Sequence, residues 1–220
     1  MRAALREFSS VGFEAASTRS ISARAGVRQG QLTFHFATKD ELWRSTVDYL
    51  FERFDFEFSN ALAPSLGDVA GVDDPVALFS ATVHALVRTV SKLPELNRMM
   101  VHEATDDSDR LTWIVDVHVR RRFEQVADLW QHVKAVGATH LDTDPLTLYY
   151  CLLGAASLMY VNAPEALRLL RSRAGTETFT DASVEAHAET LVAMLLGPRT
   201  PPPTQTPKIR RTKSKQTKGT

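Results

Sequence analysis

The chain has 220 residues, of which 44% are hydrophobic and 24% are charged, as in an ordinary globular protein that buries a substantial core. Its one cysteine, Cys151, excludes a disulfide framework and gives no support for a thiolate metal site. No long apolar segment occurs near the N-terminus, and the longest apolar stretch, residues 146–161, is shorter than the roughly 20 residues that span a bilayer. We therefore expect a cytoplasmic protein without a membrane segment.

The net charge is zero, but the charges are unevenly distributed along the chain. Residues 198–220 contain seven basic and no acidic residues, residues 1–50 contain seven basic and five acidic, and residues 51–197 contain 12 basic and 21 acidic. We call residues 1–50 the head, 51–197 the body and 198–220 the tail. A basic head and a basic tail on an acidic body fit a protein whose two ends bind phosphate groups. Because the tail is rich in Pro, Thr, Lys and Arg, we expect it to be disordered.

The first 43 residues follow the pattern of short helices joined by glycine turns. Apolar spacing predicts a first helix that ends at Gly12 in the left-handed conformation, and Ser17 is placed to cap a second helix. Gly26 provides a tight turn before a short third helix. Two short helices around a glycine turn are typical of a helix-turn-helix, whose second helix enters the major groove of DNA. Thr38–Glu41 has the pattern of a capping box, which predicts that a fourth helix begins at Lys39.

The rest of the chain predicts further helices, since no stretch shows the two-residue alternation of a strand. The fourth helix is expected to end at about residue 60, before Pro64 and Gly67. Apolar residues at three- and four-residue steps predict further helices at about 75–92, 95–105, 108–136, 146–161 and 183–196. The helix at 146–161 is apolar on nearly every side, so one of its faces is expected to pack against a second subunit.

Three motifs within residues 3–43 resemble the TetR family of bacterial one-component repressors. They are Phe8-x3-Gly12-Phe13, Ile21-x2-Arg24-Ala25-Gly26-Val27-x2-Gly30-x-Leu32-x2-His35-Phe36, and Lys39-x-Glu41-Leu42. Beyond residue 50 the resemblance is limited to the number and order of helices. It implies an all-α fold, with a three-helix helix-turn-helix DNA-binding domain at 1–50 and a helical ligand-binding and dimerisation domain at 51–197, followed by the tail at 198–220. It also implies a bacterial homodimer that represses genes from a pseudo-palindromic double-stranded DNA operator and responds to a small-molecule effector.

The sequence departs from the family pattern in the third helix. Arg28 stands where the family often has Ser or Thr, and Gln31 where it favours Thr or Ser. Thr33 replaces a Tyr that commonly holds a phosphate, but Arg28 and Gln31 carry groups suited to base edges or phosphates. The chain also begins within the first helix, where family members usually have a further turn. Either the native start lies upstream, or the phosphate contacts of that turn are lacking.

The DNA-binding residues are expected on the exposed face of the third helix and beside it. The set comprises Thr18, Arg19, Arg28, Gln29, Gly30, Gln31, Thr33, Phe34, His35 and Lys39. Gln pairs bidentately with adenine and Arg with guanine, while Lys39 lies at a helix N-terminus suited to a phosphate. Leu32 and Phe36 are expected in the core. The alternative is that the polar members of the set are simply solvent-exposed, that Phe34 is core and that His35 bonds locally.

The resemblance places an effector cavity among the middle helices and a dimer interface on the last two, at about 145–162 and 181–196. The cavity candidates are His102, Trp113, His118, Trp130 and Tyr149, which are equally typical of a plain core but favour a hydrophobic or aromatic effector. The interface candidates are Leu153, Ser157, Tyr160, His187, Leu191, Met194 and Leu195. No His-x3-His or paired-cysteine spacing predicts a metal site.

A second hypothesis is a constitutive or architectural DNA-binding protein, which uses its basic tail for non-specific affinity and senses no small molecule. A large and partly apolar internal cavity would argue against this hypothesis, and a tightly filled body would favour it. An enzyme is not expected, because the sequence contains no nucleophile–base pair, phosphate-binding glycine loop or paired-carboxylate site. No cofactor is expected for the same reason.

Overall fold

A computed structural model describes residues 1–68, 74–174 and 179–197, and every regular element in these ranges is helical. This confirms the predicted all-α class, while the predicted disordered tail, residues 198–220, lies outside the described residues. The elements are α1 (Arg2–Ala15), α2 (Thr18–Ala25), α3 (Gln29–His35), α4 (Lys39–Asp68), α5 (Pro75–Lys92), α6 (Pro94–Glu103), α7 (Asp109–Ile114), a π-helix (Val115–Val119), α8 (Arg120–Ala135), α9 (Pro145–Val161), α10 (Ala163–Ala174) and α11 (Asp181–Leu195).

Most turns and caps of the N-terminal head form where the sequence predicts them, but the predicted end of the first helix at Gly12 is wrong. Gly12 has φ 74° and ψ 175°, which kinks α1 without ending it, and the helix continues to Ala15. Gly26 adopts the left-handed conformation, with φ 70° and ψ 24°, and ends α2. Ser17 caps α2 by accepting a hydrogen bond from a backbone amide of the first turn. Thr38 accepts from the Glu41 amide at 3.0 Å, and the Glu41 carboxylate accepts from the Ala37 amide at 2.7 Å. These caps fix the directions in which α2 and α4 leave their turns.

Three helix predictions in the body differ from the structure. The predicted break at Pro64 is wrong, because α4 continues through this proline to Asp68. Proline has no backbone N–H and therefore leaves one helix carbonyl without its usual donor. Because Pro64 is exposed and close to the helix end, water can bond this carbonyl instead. The helix predicted at 108–136 contains a five-residue π-helix, Val115–Val119. Helix α10 was not predicted.

The helices enclose two hydrophobic clusters. One lies in the body between α5, α8, α9 and α11 and contains Phe79, Trp130 and Leu152. The other joins α1, α2 and the first part of α4 to α6 and α7, through Met99 and Ile114. The expected domain boundary at residue 50 therefore falls inside α4 and inside the second cluster. The head is packed directly onto the body rather than tethered to it.

Within the described ranges, no single helix is long and apolar enough to cross a membrane. Two bent pairs, α5 with α6 and α9 with α10, reach the required length and hydrophobicity only when each pair is taken together. The same part of the chain contains no group of three or more His, Cys, Asp or Glu side chains placed to hold a metal ion.

Candidate nucleic-acid interface

Helix α3 lies on the outside of the head with one face packed and the other exposed. Leu32 and Phe36 pack against the core of the head, as predicted. The exposed residues are Arg28, Gln29, Gly30, Gln31, Thr33, Phe34 and His35. Phe34 is the extreme case, with 85% of its surface exposed, so it does not belong to the core. A short helix that is held by the partly buried Leu32 and the adjacent Phe36, and exposes its other residues, is free to enter a DNA groove.

Two of these exposed polar side chains already make hydrogen bonds within the helix. The Gln31 side-chain oxygen accepts from the Arg28 backbone amide at 3.0 Å, which caps the first turn. This bond leaves the Gln31 amide nitrogen to donate outward. The Thr33 hydroxyl is 3.1 Å from the Gln29 carbonyl oxygen and 3.2 Å from that of Gly30, so it donates back to its own helix.

The basic residues of the head differ in whether a carboxylate neutralises them. Arg24 pairs with Glu7 at 3.4 Å, and Arg44 pairs with Asp40 at 2.6 Å. Arg19, at the start of α2, is exposed and forms no ion pair with any residue that the structure describes. The same holds for Arg28, at the start of α3. These two guanidinium groups therefore present uncompensated positive charge beside the exposed face of α3.

A cavity of about 350 Å³ lies beside α3, between the N-termini of α2 and α4. Its polar lining includes Ser17, Thr18, Thr33, Thr38 and Lys39. Backbone amides at a helix N-terminus attract anions, and here two N-termini border one concave surface. The arrangement suits a phosphate of the DNA backbone while α3 occupies the adjacent groove.

Lys39 borders this cavity, but its ammonium group has other partners. Nζ donates to the carbonyl oxygens of Glu14 at 3.3 Å and Ala16 at 3.2 Å, at the end of α1. It also lies 4.3 Å from the centre of the Phe13 ring. Lys39 thus ties the start of α4 to the end of α1 and satisfies carbonyls that the helix leaves unpaired.

The five aromatic residues predicted to line an effector cavity lie in different places. Trp113 and His118 contact α4, where His118 is stacked 4.3 Å from Phe51. Trp130 is fully buried in the body cluster and donates to the Thr143 carbonyl oxygen at 3.0 Å. The other two lie elsewhere: Tyr149 packs edge-to-face on Phe123 at 5.5 Å, and His102 is exposed beside α1. Burial raises the pKa of the Tyr149 hydroxyl. The structure brings Trp113 and His118 together but does not gather all five around one cavity.

Six of the seven residues predicted for a dimer interface are buried or half-buried within one subunit. Ser157, Tyr160 and Leu191 are at most 6% exposed, and burial raises the pKa of Tyr160 to about 12. The Tyr160 hydroxyl lies 3.1 Å from Nδ1 of His187. Leu153, His187 and Leu195 are half-buried, and only Met194, at 62% exposure, faces solvent.

The exposed side of α9 carries a different set of apolar residues from the one predicted. They are Leu146, Tyr150, Cys151, Gly154, Ala155 and Leu158. On α11 the exposed apolar residues are Ala182, Ala186, Ala193 and Met194. Their spacing of three and four residues places them on one side of each helix, but on α9 the opposite side is apolar too, so the spacing does not show which side is exposed. We call these ten residues the apolar stripe.

Residues 1–46 match the sequence signature of the bacterial regulatory proteins of the tetR family. The chain carries a tetR-family helix-turn-helix domain. The matched segment contains α1, α2, α3 and the start of α4, and hence every residue of the candidate interface. No curated protein matches the chain.

Solved structures resemble the chain along most of its length. The regulator SCO4942 from Streptomyces coelicolor is 15% identical, with a TM-score of 0.59 over 88% of this chain and 94% of that one. A Clostridium perfringens protein named as a fatty acid metabolism regulator is 12% identical, with a TM-score of 0.62 over 88% and 96%. A TetR-like transcriptional regulator from Rhodococcus sp. RHA1 is 23% identical, with a TM-score of 0.57 over 88% and 89%. The tetR-family head therefore sits on a body with the fold of these regulators.

Proposed function

We propose that this protein is a ligand-responsive repressor that binds a pseudo-palindromic DNA operator as a homodimer. The observation that carries the proposal is the exposed face of α3 in a tetR-family head, flanked by two arginines without carboxylate partners. The fold of the whole chain, shared with bacterial transcriptional regulators, supports it.

The residues of the interface are assigned by the groups they expose. Arg28 and Gln29 point base-reading groups outward from the first turn of α3, and each good bidentate pair contributes about 1–3 kcal/mol of discrimination. Phe34, at 85% exposure, offers an apolar surface to a thymine methyl or a deoxyribose. Thr18 and Arg19, with the amides around the cavity between α2 and α4, hold the phosphate backbone.

Dimerisation is supported by the apolar stripe on α9 and α11. Both helices pack against α5 on one side and expose apolar residues on the other. Two copies that join these surfaces form a four-helix bundle around a twofold axis. The two α3 helices then read successive major grooves, about 34–36 Å apart, which explains why the operator should be a pseudo-palindrome.

Ligand response and repression would depend on the contact between the head and the body. The head shares one hydrophobic cluster with α6 and α7, so a small molecule that shifts these helices also shifts α1 and α4. If the ligand favours the subunit arrangement with the wrong spacing of the α3 helices, DNA and ligand antagonise each other, typically by about 1–3 kcal/mol. A promoter covered by the dimer is released when ligand binds.

The test is fluorescence anisotropy of the full chain with two labelled duplexes of equal length, the DNA upstream of its own gene and a scrambled version. We expect tight binding to the first and weak binding to the second at ~0.15 M salt. Gln29→Ala should raise Kd for the upstream DNA about tenfold, because it removes a base contact of the kind worth 1–3 kcal/mol. Arg121→Ala, at an exposed site on α8, is the control and should leave Kd unchanged.

Equal binding to both duplexes, lost steeply with salt, would contradict the proposal and favour the architectural protein instead. If Gln29→Ala bound the upstream DNA with wild-type affinity, α3 would not read a base through this residue.

A further inference from the structure

A second cavity, of about 370 Å³, lies where the head meets the body. It is lined by Ser9, Ser10, Arg98, Val101, His102 and Val161. These residues come from α1, α6 and the last residue of α9. Pockets of roughly 300–1,000 Å³ are of the size that holds small molecules.

Arg98 gives the cavity an uncompensated positive charge. Its Nη2 donates to the Val161 carbonyl oxygen at 3.2 Å, at the C-terminus of α9, and the side chain is half-buried. In the described part of the chain no carboxylate lies within ion-pair distance of Arg98. Four other half-buried arginines do have such a partner: Arg44, Arg88, Arg110 and Arg122. A half-buried guanidinium with donors to spare is suited to a carboxylate ligand.

The other lining residues define the rest of the ligand. The imidazole of His102 has no hydrogen-bond partner among the described residues, so it is available to the same anion. The hydroxyls of Ser9 and Ser10 donate to carbonyl oxygens of their own helix, those of Arg6 at 3.5 Å and Glu7 at 3.0 Å. Val101, which is 58% exposed, and Val161 supply an apolar wall. The cavity thus combines one cationic end with one aliphatic side.

The cavity also lies against the backbone of the head. A Cβ atom at Gly12 would come within 3.3 Å of Nδ1 of His102, so α1 and α6 approach each other closely here. A ligand in this cavity touches the DNA-binding head and the proposed dimerisation helix α9 at once. It is therefore placed to change the position of one relative to the other.

We infer that this cavity binds a small aliphatic carboxylate, with the carboxylate on Arg98 and His102 and the chain along Val101 and Val161. The part of this inference that concerns DNA rests on the proposed function: the bound carboxylate sets the position of the head and so the affinity for the operator. Binding itself requires no DNA and is tested without it.

The probe is sodium hexanoate, titrated into the full chain by isothermal calorimetry, with hexan-1-ol and sodium acetate as matched ligands that lack the charge or the chain. We expect saturable binding of hexanoate and at least tenfold weaker binding of the other two. Arg98→Gln should weaken hexanoate binding at least tenfold. Arg121→Gln, an exposed arginine on α8, should not.

Val101→Asp is the second variant, because this exposed position tolerates substitution without unfolding and places a repelling carboxylate at the apolar wall. It should abolish binding while circular dichroism stays unchanged. The site is overturned if hexanoate does not bind, if hexan-1-ol binds as tightly, or if Arg98→Gln and Val101→Asp bind like the wild type.

The effect of the bound carboxylate on operator affinity, which we call the coupling, is tested separately. The anisotropy titration is repeated with saturating hexanoate. A change in operator affinity that is lost in Arg98→Gln supports it. An unchanged affinity, with calorimetric binding intact, overturns the coupling and leaves the site standing. Failure of the chain to bind its operator at all refutes the proposed function without touching the calorimetric result.

Discussion

Several polar side chains of the head stabilise the fold at positions where the sequence alone suggests DNA contacts. Lys39 borders the cavity beside α3 and Gln31 is exposed, yet Lys39 bonds two carbonyls at the end of α1 and Gln31 caps α3. A sequence shows that a residue is polar and where it lies on a helix. It does not show which backbone group lies within 3.5 Å, because that depends on how α1, α3 and α4 pack. The exposed face of α3 was therefore predictable from the polar pattern along the helix. The role of each residue on that face was not, because it depends on this packing.

Lys39→Met should therefore lower the stability of the protein rather than the salt dependence of DNA binding. The variant keeps an aliphatic chain but loses two charge-assisted hydrogen bonds, so we expect the free energy of unfolding to fall by about 1–2 kcal/mol in urea. Lys92→Met is the control, because its ion pair with Glu57 is largely exposed and should contribute at most about 1 kcal/mol. A flatter slope of log Kd against log salt with unchanged stability would show instead that Lys39 binds a phosphate.

Thr89 offers a second test at the level of one residue. Its side chain is 1% exposed, and its hydroxyl has no hydrogen-bond partner within the described residues. Thr89→Val should raise the free energy of unfolding by about 1 kcal/mol, because burying an unpaired hydroxyl costs about 1–3 kcal/mol. Thr46→Val is the matched control: Thr46 is also buried, but it donates to the Leu42 carbonyl oxygen at 2.7 Å, so no gain is expected. A loss of stability in Thr89→Val would show that the hydroxyl has a partner after all.

Caps, prolines and apolar spacing decide which helices the sequence predicts correctly. Helix α5 begins and ends where predicted, since Asp74 caps it and apolar spacing runs through it. Helix α10 was not predicted, although Pro164 stands in its first turn, where proline is well tolerated. The π-helix was missed because its apolar spacing still looks helical. It differs only in a backbone bonding pattern that packing selects.

The π-helix places His118 against α4, where Nε2 lies 2.9 Å from the Asp48 carboxylate. Burial lowers the pKa of His118 below its ordinary 6.5, although the hydrogen bond and charge of Asp48 act in the opposite direction. The unfolded chain therefore binds this proton more readily than the folded one. Stability attributed to His118 is present above about pH 6.5 and is lost as the pH falls below it.

His118→Gln should flatten the dependence of unfolding free energy on pH between 7 and 5, because glutamine can still bond Asp48 but does not titrate. His187, whose pKa burial also lowers, is retained in both proteins, so the variant should keep part of the slope. Urea unfolding at pH 7.5, 6.5 and 5.5 measures the effect. The difference at pH 7.5 reports the lost stack on Phe51 and serves as the internal control. Identical slopes in the two proteins would mean that His118 titrates normally.

The proposed dimer uses a surface that the sequence indicates only in part. An all-round apolar α9 predicts that one face has a partner, and this stays a prediction, but Ser157 and Tyr160 lie on the face that the subunit itself buries. The two faces of such a helix cannot be distinguished from sequence, because both are apolar. Only the packing of α5 and α11 shows which side of α9 remains exposed.

Leu158→Glu tests whether the apolar stripe joins two subunits. Leu158 is 60% exposed in the subunit, so a glutamate there costs the isolated subunit little. At a dimer interface the same carboxylate would be buried opposite its own symmetry mate or against apolar residues. A penalty of 1.4 kcal/mol or more raises the dimer dissociation constant at least tenfold. Light scattering after size exclusion should give about twice 24.5 kDa for the wild type and a smaller mass for the variant at low concentration.

Val117→Glu is the matched control, because Val117 is 54% exposed but lies on the π-helix and is not one of the stripe residues. It should elute like the wild type. The same samples connect assembly to DNA binding: a dimer bridges two half-sites, so Leu158→Glu should lose affinity for the full operator while retaining that for a single half-site. If Leu158→Glu keeps the mass and operator affinity of the wild type, the stripe is not the interface. The spacing of the two α3 helices would then be set by another surface.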